Sequence, residues 1–131
     1  MDKRSDLGLL IIRVGLGIAF MIHGYPKISG GPEAWEGLGR MGAGALGLSF
    51  GHMIFGLFAA VAEFVGGLCL ILGVVFKPAC LMMAITMMAA TNMHIAKGDD
   101  FGVFSHALEA AIVFLGLSLI GPGKFRLIPG G

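Results

Sequence analysis

Charge is what this chain has least of. Asp, Glu, Lys and Arg make up 13% of its 131 residues, whereas 56% are hydrophobic. A water-soluble domain carries roughly 25% charged residues. A chain this short also has too high a surface-to-volume ratio to hide so much apolar surface from water. These features exclude a soluble globular domain and leave lipid as the solvent that fits. The basic residues form no run and the formal net charge is +1, so the electrostatic footprint of a nucleic-acid binder is absent. Cysteine is scarce too: Cys69 and Cys80 both fall in apolar stretches and form no Cys-x-x-Cys pair. They read as small buried hydrophobes. The chain has no His-Glu-x-x-His or comparable metal-ligand pair, no internal repeat and no low-complexity tract. The first apolar stretch runs to about Ile22 without a small-residue cleavage site, so it reads as a retained helix rather than a cleaved signal.

What the chain has is long apolar runs. Roughly 20 such residues are needed to cross the hydrocarbon core, and four segments qualify: 7–24, 52–76, 78–96 and 103–120. Lipid offers no partner for free backbone groups, so each must be helical. The expected fold is an all-α, integral membrane, antiparallel four-helix bundle forming a single transmembrane domain over 1–131. Phe76-Lys77-Pro78 reads as a tight turn, and Lys97 to Asp100 as a short polar one. Residues 25–51 form the only long connection, an outer loop with Pro26, Pro32 and eight glycines. Residues 34–40 within it suit a short interfacial helix, with Tyr25 and Trp35 at headgroup level. Glycines inside the spans and a methionine-rich third span point to close helix packing.

Four crossings put both termini on one side of the bilayer. That side carries Lys3, Arg4, Lys77, Lys124 and Arg126, against Lys27, Arg40 and Lys97 on the other. The excess predicts cytoplasmic termini in a bacterial inner membrane.

Three charges fall inside the expected spans: Arg13, Glu63 and Glu109. Such groups are costly in lipid, face the bundle interior and find partners. Arg13 and Glu63 lie on antiparallel neighbours and are expected to form an intramembrane ion pair. The histidines are concentrated as well. His23, His52, His94 and His106 all fall in the outer half, with Lys27, Asn92 and Glu109 near them; His106 and Glu109 are three apart and share a helix face. This set is the candidate ligand-binding group. His23, His94, His106 and Glu109 have the donor types to bind a metal. Alternatively, the imidazoles suit hydrogen bonding to a quinone oxygen, since histidine titrates near working pH.

Residues 13–27 (Arg-Val-Gly-Leu-Gly-Ile-Ala-Phe-Met-Ile-His-Gly-Tyr-Pro-Lys), residues 62–73 (Ala-Glu-Phe-Val-Gly-Gly-Leu-Cys-Leu-Ile-Leu-Gly) and residues 119–127 (Leu-Ile-Gly-Pro-Gly-Lys-Phe-Arg-Leu) together resemble the DoxX family of small bacterial membrane proteins. The resemblance runs from about residue 7 to 127. It implies a four-helix membrane protein with cytoplasmic termini, and Arg13, His23, Lys27 and Glu63 look like the family's polar signature. Some members are associated with quinone-linked sulfur oxidation, as in a thiosulfate:quinone oxidoreductase; others are linked to oxidative-stress defence or quinone resistance. The resemblance supplies no agreed catalytic residue.

The leading functional expectation is therefore a membrane redox component, part of a quinone-linked oxidoreductase, that binds a quinone or similar molecule near the outer helix ends. A second is a non-catalytic subunit that anchors a soluble redox protein partner. A third is a small-solute or metal transporter, which four short helices would require to work as a homo-oligomer.

Overall fold

The computed structural model describes residues 2–127; Met1 and residues 128–131 of the expected domain lie outside the described residues. Among those described there is no strand. Five helices follow one another: α1 (Lys3–Ser29), α2 (Gly31–Ala45), α3 (His52–Leu72), α4 (Phe76–Ala96) and α5 (Phe101–Ile120). All except α2 are long and apolar enough to cross a membrane. Their outward faces carry an apolar stripe, with Ile54, Ile85 and Leu119 all more than half exposed. Water would oppose so much exposed hydrocarbon, but a bilayer does not.

The helix ends differ from the expected ones for local reasons. Asp2 caps α1 by accepting from the Ser5 amide at 2.8 Å. The helix then passes Gly24 and carries Pro26 within its last turn, to Ser29. Gly31, at φ +79, starts α2. Most of the expected 25–51 loop is therefore helical. α3 stops at Leu72, where Gly73 adopts the left-handed conformation at φ 72. Residues 73–75 make the turn, and Phe76 already belongs to α4. Pro78 sits in the first turn of α4, where its missing N–H costs no helical hydrogen bond. Asp100 caps α5 through the Val103 amide.

Helices α1 and α2 both pack on α3, and α4 packs on α5. Glycines set the closeness of these contacts. A Cβ on Gly17 would lie 2.6 Å from the Gly67 carbonyl oxygen, and one on Gly24 would lie 2.7 Å from the Phe64 amide nitrogen. On the other half of α3, a Cβ on Gly39 would fall onto the His52 carbonyl, and one on Gly56 onto the Trp35 carbonyl. So α1 covers the C-terminal half of α3, and α2 continues outward along its N-terminal half. Small residues are the means by which membrane helices approach this closely.

The start of α1, residues 121–127 after α5 and the α3–α4 turn lie together at one end of the bundle, here the terminal end. There the Lys124 amide donates to Asp6 at 2.9 Å, joining the tail to α1. The α2–α3 connection and the α4–α5 turn lie at the distal end, where the Asn92 amide donates to the Ala45 carbonyl at 3.3 Å. Phe76, Met83, Cys80, Phe114 and Leu70 fill the core on the terminal side. Both cysteines are free thiols, as their apolar settings suggest. The bundle is not closed all round: α1 and α5 have no close backbone approach. They meet only through side chains such as Phe20 and Phe114, whose rings lie edge to face at 5.1 Å.

Candidate functional site

Arg13 is 1% exposed, and its partners are backbone carbonyls. Nε donates to Leu70 at 2.9 Å, Nη2 to Ile71 at 3.0 Å and Nη1 to Pro122 at 3.0 Å, and Nη1 also donates to Phe125. The guanidinium lies over the Phe76 ring, 6.0 Å from its centroid. One fork of donors thus satisfies orphan carbonyls at the C-terminus of α3 and ties the tail after α5 to them. The expected Arg13–Glu63 pair does not form. Leu70 is seven residues beyond Glu63 on α3, about 10 Å along the axis, too far for the guanidinium to serve both.

Glu63 pairs instead with Lys27, whose Nζ lies 2.9 Å from each carboxylate oxygen. The pairing depends on α1 continuing past Gly24, since that extra turn brings Lys27 alongside α3 rather than into the headgroups. Trp35 braces the same turn by donating Nε1 to the Lys27 carbonyl at 3.0 Å.

The Lys27–Glu63 pair borders a cavity of about 650 Å³ that all five helices line. His23 and Lys27 come from α1, Glu63 from α3, His94 from α4 and His106 from α5. The rest of the wall is apolar, with Phe20, Phe55, Phe58, Met87, Met88 and Met93 prominent. Several lining residues (His23, Phe58, Ile85, Met88, Val103 and His106) are exposed on the perimeter of the helices. The cavity is therefore open at the surface of the bundle. His94 is held from behind: its Nδ1 lies 2.8 Å from Oδ2 of Asp99 in the α4–α5 turn.

Of the seven residues of the candidate ligand-binding group, His23, Lys27, His94 and His106 meet at this cavity. The other three do not line it. The Nε2 of His52 is engaged with the Leu48 carbonyl at 2.9 Å, Asn92 bonds Ala45, and Glu109 lies exposed on α5. Among the described residues no three His, Cys, Asp or Glu side chains come together as a metal site. The expected ligand set of His23, His94, His106 and Glu109 is not assembled, because Glu109 lies outside the cavity, exposed on α5.

Sequence reasoning missed Asp99 and the lining contributed by α2. Asp99 lies five residues after His94, within reach across a helix end. Its sequence signal was only that of a polar turn.

The DoxX family model matches residues 8–96. The chain belongs to the DoxX family. Over 130 residues, 97% of its length, it is 28% identical to the inner membrane protein YqjF of Escherichia coli (strain K12), covering 94% of that protein. No solved structure matches. The DoxX match takes in Arg13, both members of the Lys27–Glu63 pair, His23 and His94, but stops before α5. His106 thus comes to the cavity from outside the stretch matched to the family.

Proposed function

We propose that this DoxX protein binds a quinone or a similar lipid-soluble ring compound in the cavity, as a membrane component of a redox system. The observation that carries the reading is the cavity itself: one apolar chamber, open at the surface of the bundle, with an ammonium and three imidazoles in its wall. Its volume of about 650 Å³ suits a ring compound of that kind, and an apolar pocket with a few convergent polar groups is the usual form of a small-molecule site. Imidazole can donate to or accept from a carbonyl or hydroxyl oxygen near neutral pH. Intramembrane ionisable groups mark functional sites by default, and Lys27 and Glu63 are two of them. Electrons would come from or go to a separate protein or small molecule.

The chain is oriented in this reading with its termini in the cytoplasm. With Lys27 drawn into the cavity, the distal end retains only Arg40 and Lys97 as surface cations, which strengthens the positive-inside bias.

Titration of the purified protein in lipid nanodiscs with a short-chain quinone tests the proposal, with Trp35 fluorescence as the readout. Saturable quenching is expected in the wild type, with weaker binding in His106→Ala. A wild type that shows no saturable quenching sinks the reading.

A further inference from the structure

His94 sits where the cavity meets the distal surface. Its ring lines the cavity, and its Nδ1 is 2.8 Å from the Asp99 carboxylate. An ionised carboxylate only accepts, so Nδ1 carries the proton and a neutral ring keeps its lone pair on Nε2. The nitrogen left for the cavity is a base, with a fixed anion behind it to pair with the ring once it is protonated. This is the arrangement in which a carboxylate orients an imidazole that accepts a proton. The other titratable groups in the cavity wall are His23 and Lys27 from α1, Glu63 from α3 and His106 from α5, while α2 supplies none. On the surface side, Lys97 Nζ is 4.0 Å from the same Asp99 oxygen. The cavity thus offers a base at one place and an ammonium, Lys27, at another, within apolar walls.

We infer that the cavity takes a weak lipophilic acid of the phenol class, quinols included, and holds it as its anion. The ligand O–H bond breaks, the Nε2–H bond of His94 forms, and the bonding electron pair stays on the ligand oxygen. No electron acceptor is needed for this step. The phenolate is then matched by the His94 imidazolium, with Asp99 behind it, and by the N–H groups of the other imidazoles, while Lys27 remains paired with Glu63. Asp99 acts as a positioning residue, and its carboxylate reaches the distal surface, where the proton can leave. The inference rests on the cavity being the ligand site.

The probe is 4-nitrophenol, whose anion is yellow. The full chain in lipid nanodiscs is compared with empty nanodiscs. Trp35, the only tryptophan, reports occupancy by quenching, and visible absorbance reports ionisation of the probe. In the wild type, quenching is expected together with anionic probe at a pH where probe in empty nanodiscs is largely neutral. Asp99→Asn should keep the quenching while the anion-to-neutral ratio falls about tenfold, one unit in the probe's apparent ionisation. Asp99→Glu should restore it, and His94→Gln should remove the anion signal. Quenching with a neutral spectrum in the wild type, or an anion signal unchanged in Asp99→Asn and His94→Gln, overturns this inference and leaves the cavity as a binding site. Absence of quenching in the wild type overturns the binding site itself.

Discussion

Replacing Lys27 with Met would strand the Glu63 carboxylate beside an apolar wall. Breaking a buried pair by removing one partner costs about 3–5 kcal/mol, because the other charge stays behind uncompensated. The two partners are not equally buried: the Glu63 side chain is 6% exposed and that of Lys27 is 38% exposed. Lys27→Met should therefore reach the upper part of that range. Glu63→Gln leaves an ammonium that borders the cavity and has a flexible stem, so its loss should be smaller, about 1–2 kcal/mol. Removing both charges, in Lys27→Met with Glu63→Leu, also removes the desolvation cost and should return stability to within about 1–2 kcal/mol of the wild type. Unfolding by SDS in mixed micelles, followed through Trp35, gives the three values. Trp35 is well placed because its indole bonds the Lys27 carbonyl. Equal single losses that simply add in the double variant would refute the reasoning, since additivity is the behaviour of independent sites.

Three further outcomes follow from the packing and the termini. Arg13→Lys should not substitute for arginine, because one ammonium cannot serve carbonyls on both α3 and the tail; a loss of about 2–4 kcal/mol in the same unfolding assay is expected, together with faster proteolysis of the C-terminal segment. Gly39→Ala should separate α2 from α3, costing about 1–3 kcal/mol as an overpacked contact and weakening probe binding, since α2 closes one wall of the cavity. Asp2 has its carboxyl held below the ordinary value by hydrogen bonds from the Ser5 backbone and side chain. A lowered folded-state pKa stabilises above the unfolded value and is lost as pH falls through the folded one. Helix capping at α1 should thus be complete at neutral pH and fade only in acid, and amide exchange at Ser5 measured against pH should lose that acid-side change in Asp2→Asn.

The spanning helices were legible because the requirement that makes them is local: each apolar run must satisfy its own backbone in lipid. The ends of those helices were less legible. Pro26 fell in the expected outer loop, yet α1 carries it in its last turn and continues to Ser29. The glycines of 25–51 read as a loop, yet Gly39 and Gly42, together with Gly56 on α3, are what allow α2 to lie against α3. Glycine disfavours helix in isolation, and here close packing outweighs that preference.

The same distinction runs through the site. Residue types alone pointed to a polar distal half and to His23, Lys27, His52, Asn92, His94, His106 and Glu109 as a shared group, of which His23, Lys27, His94 and His106 line the cavity. They could not say which charges pair. Arg13 and Glu63 looked like partners because both were buried charges on adjacent helices. The choice was made by the register of α1 on α3, which the Gly17–Gly67 and Gly24–Phe64 contacts fix. That register places Arg13 at the end of α3 and Lys27 at Glu63. By itself, the sequence determined that this chain lives in a membrane, how many helices cross it and toward which end its histidines lie, because composition and hydropathy act over short stretches. Only the tertiary structure decided the partners of Arg13, Glu63 and His94 and the existence of the cavity. Each of those depends on distances between residues far apart in the chain, and one turn of helix more or less would reassign them.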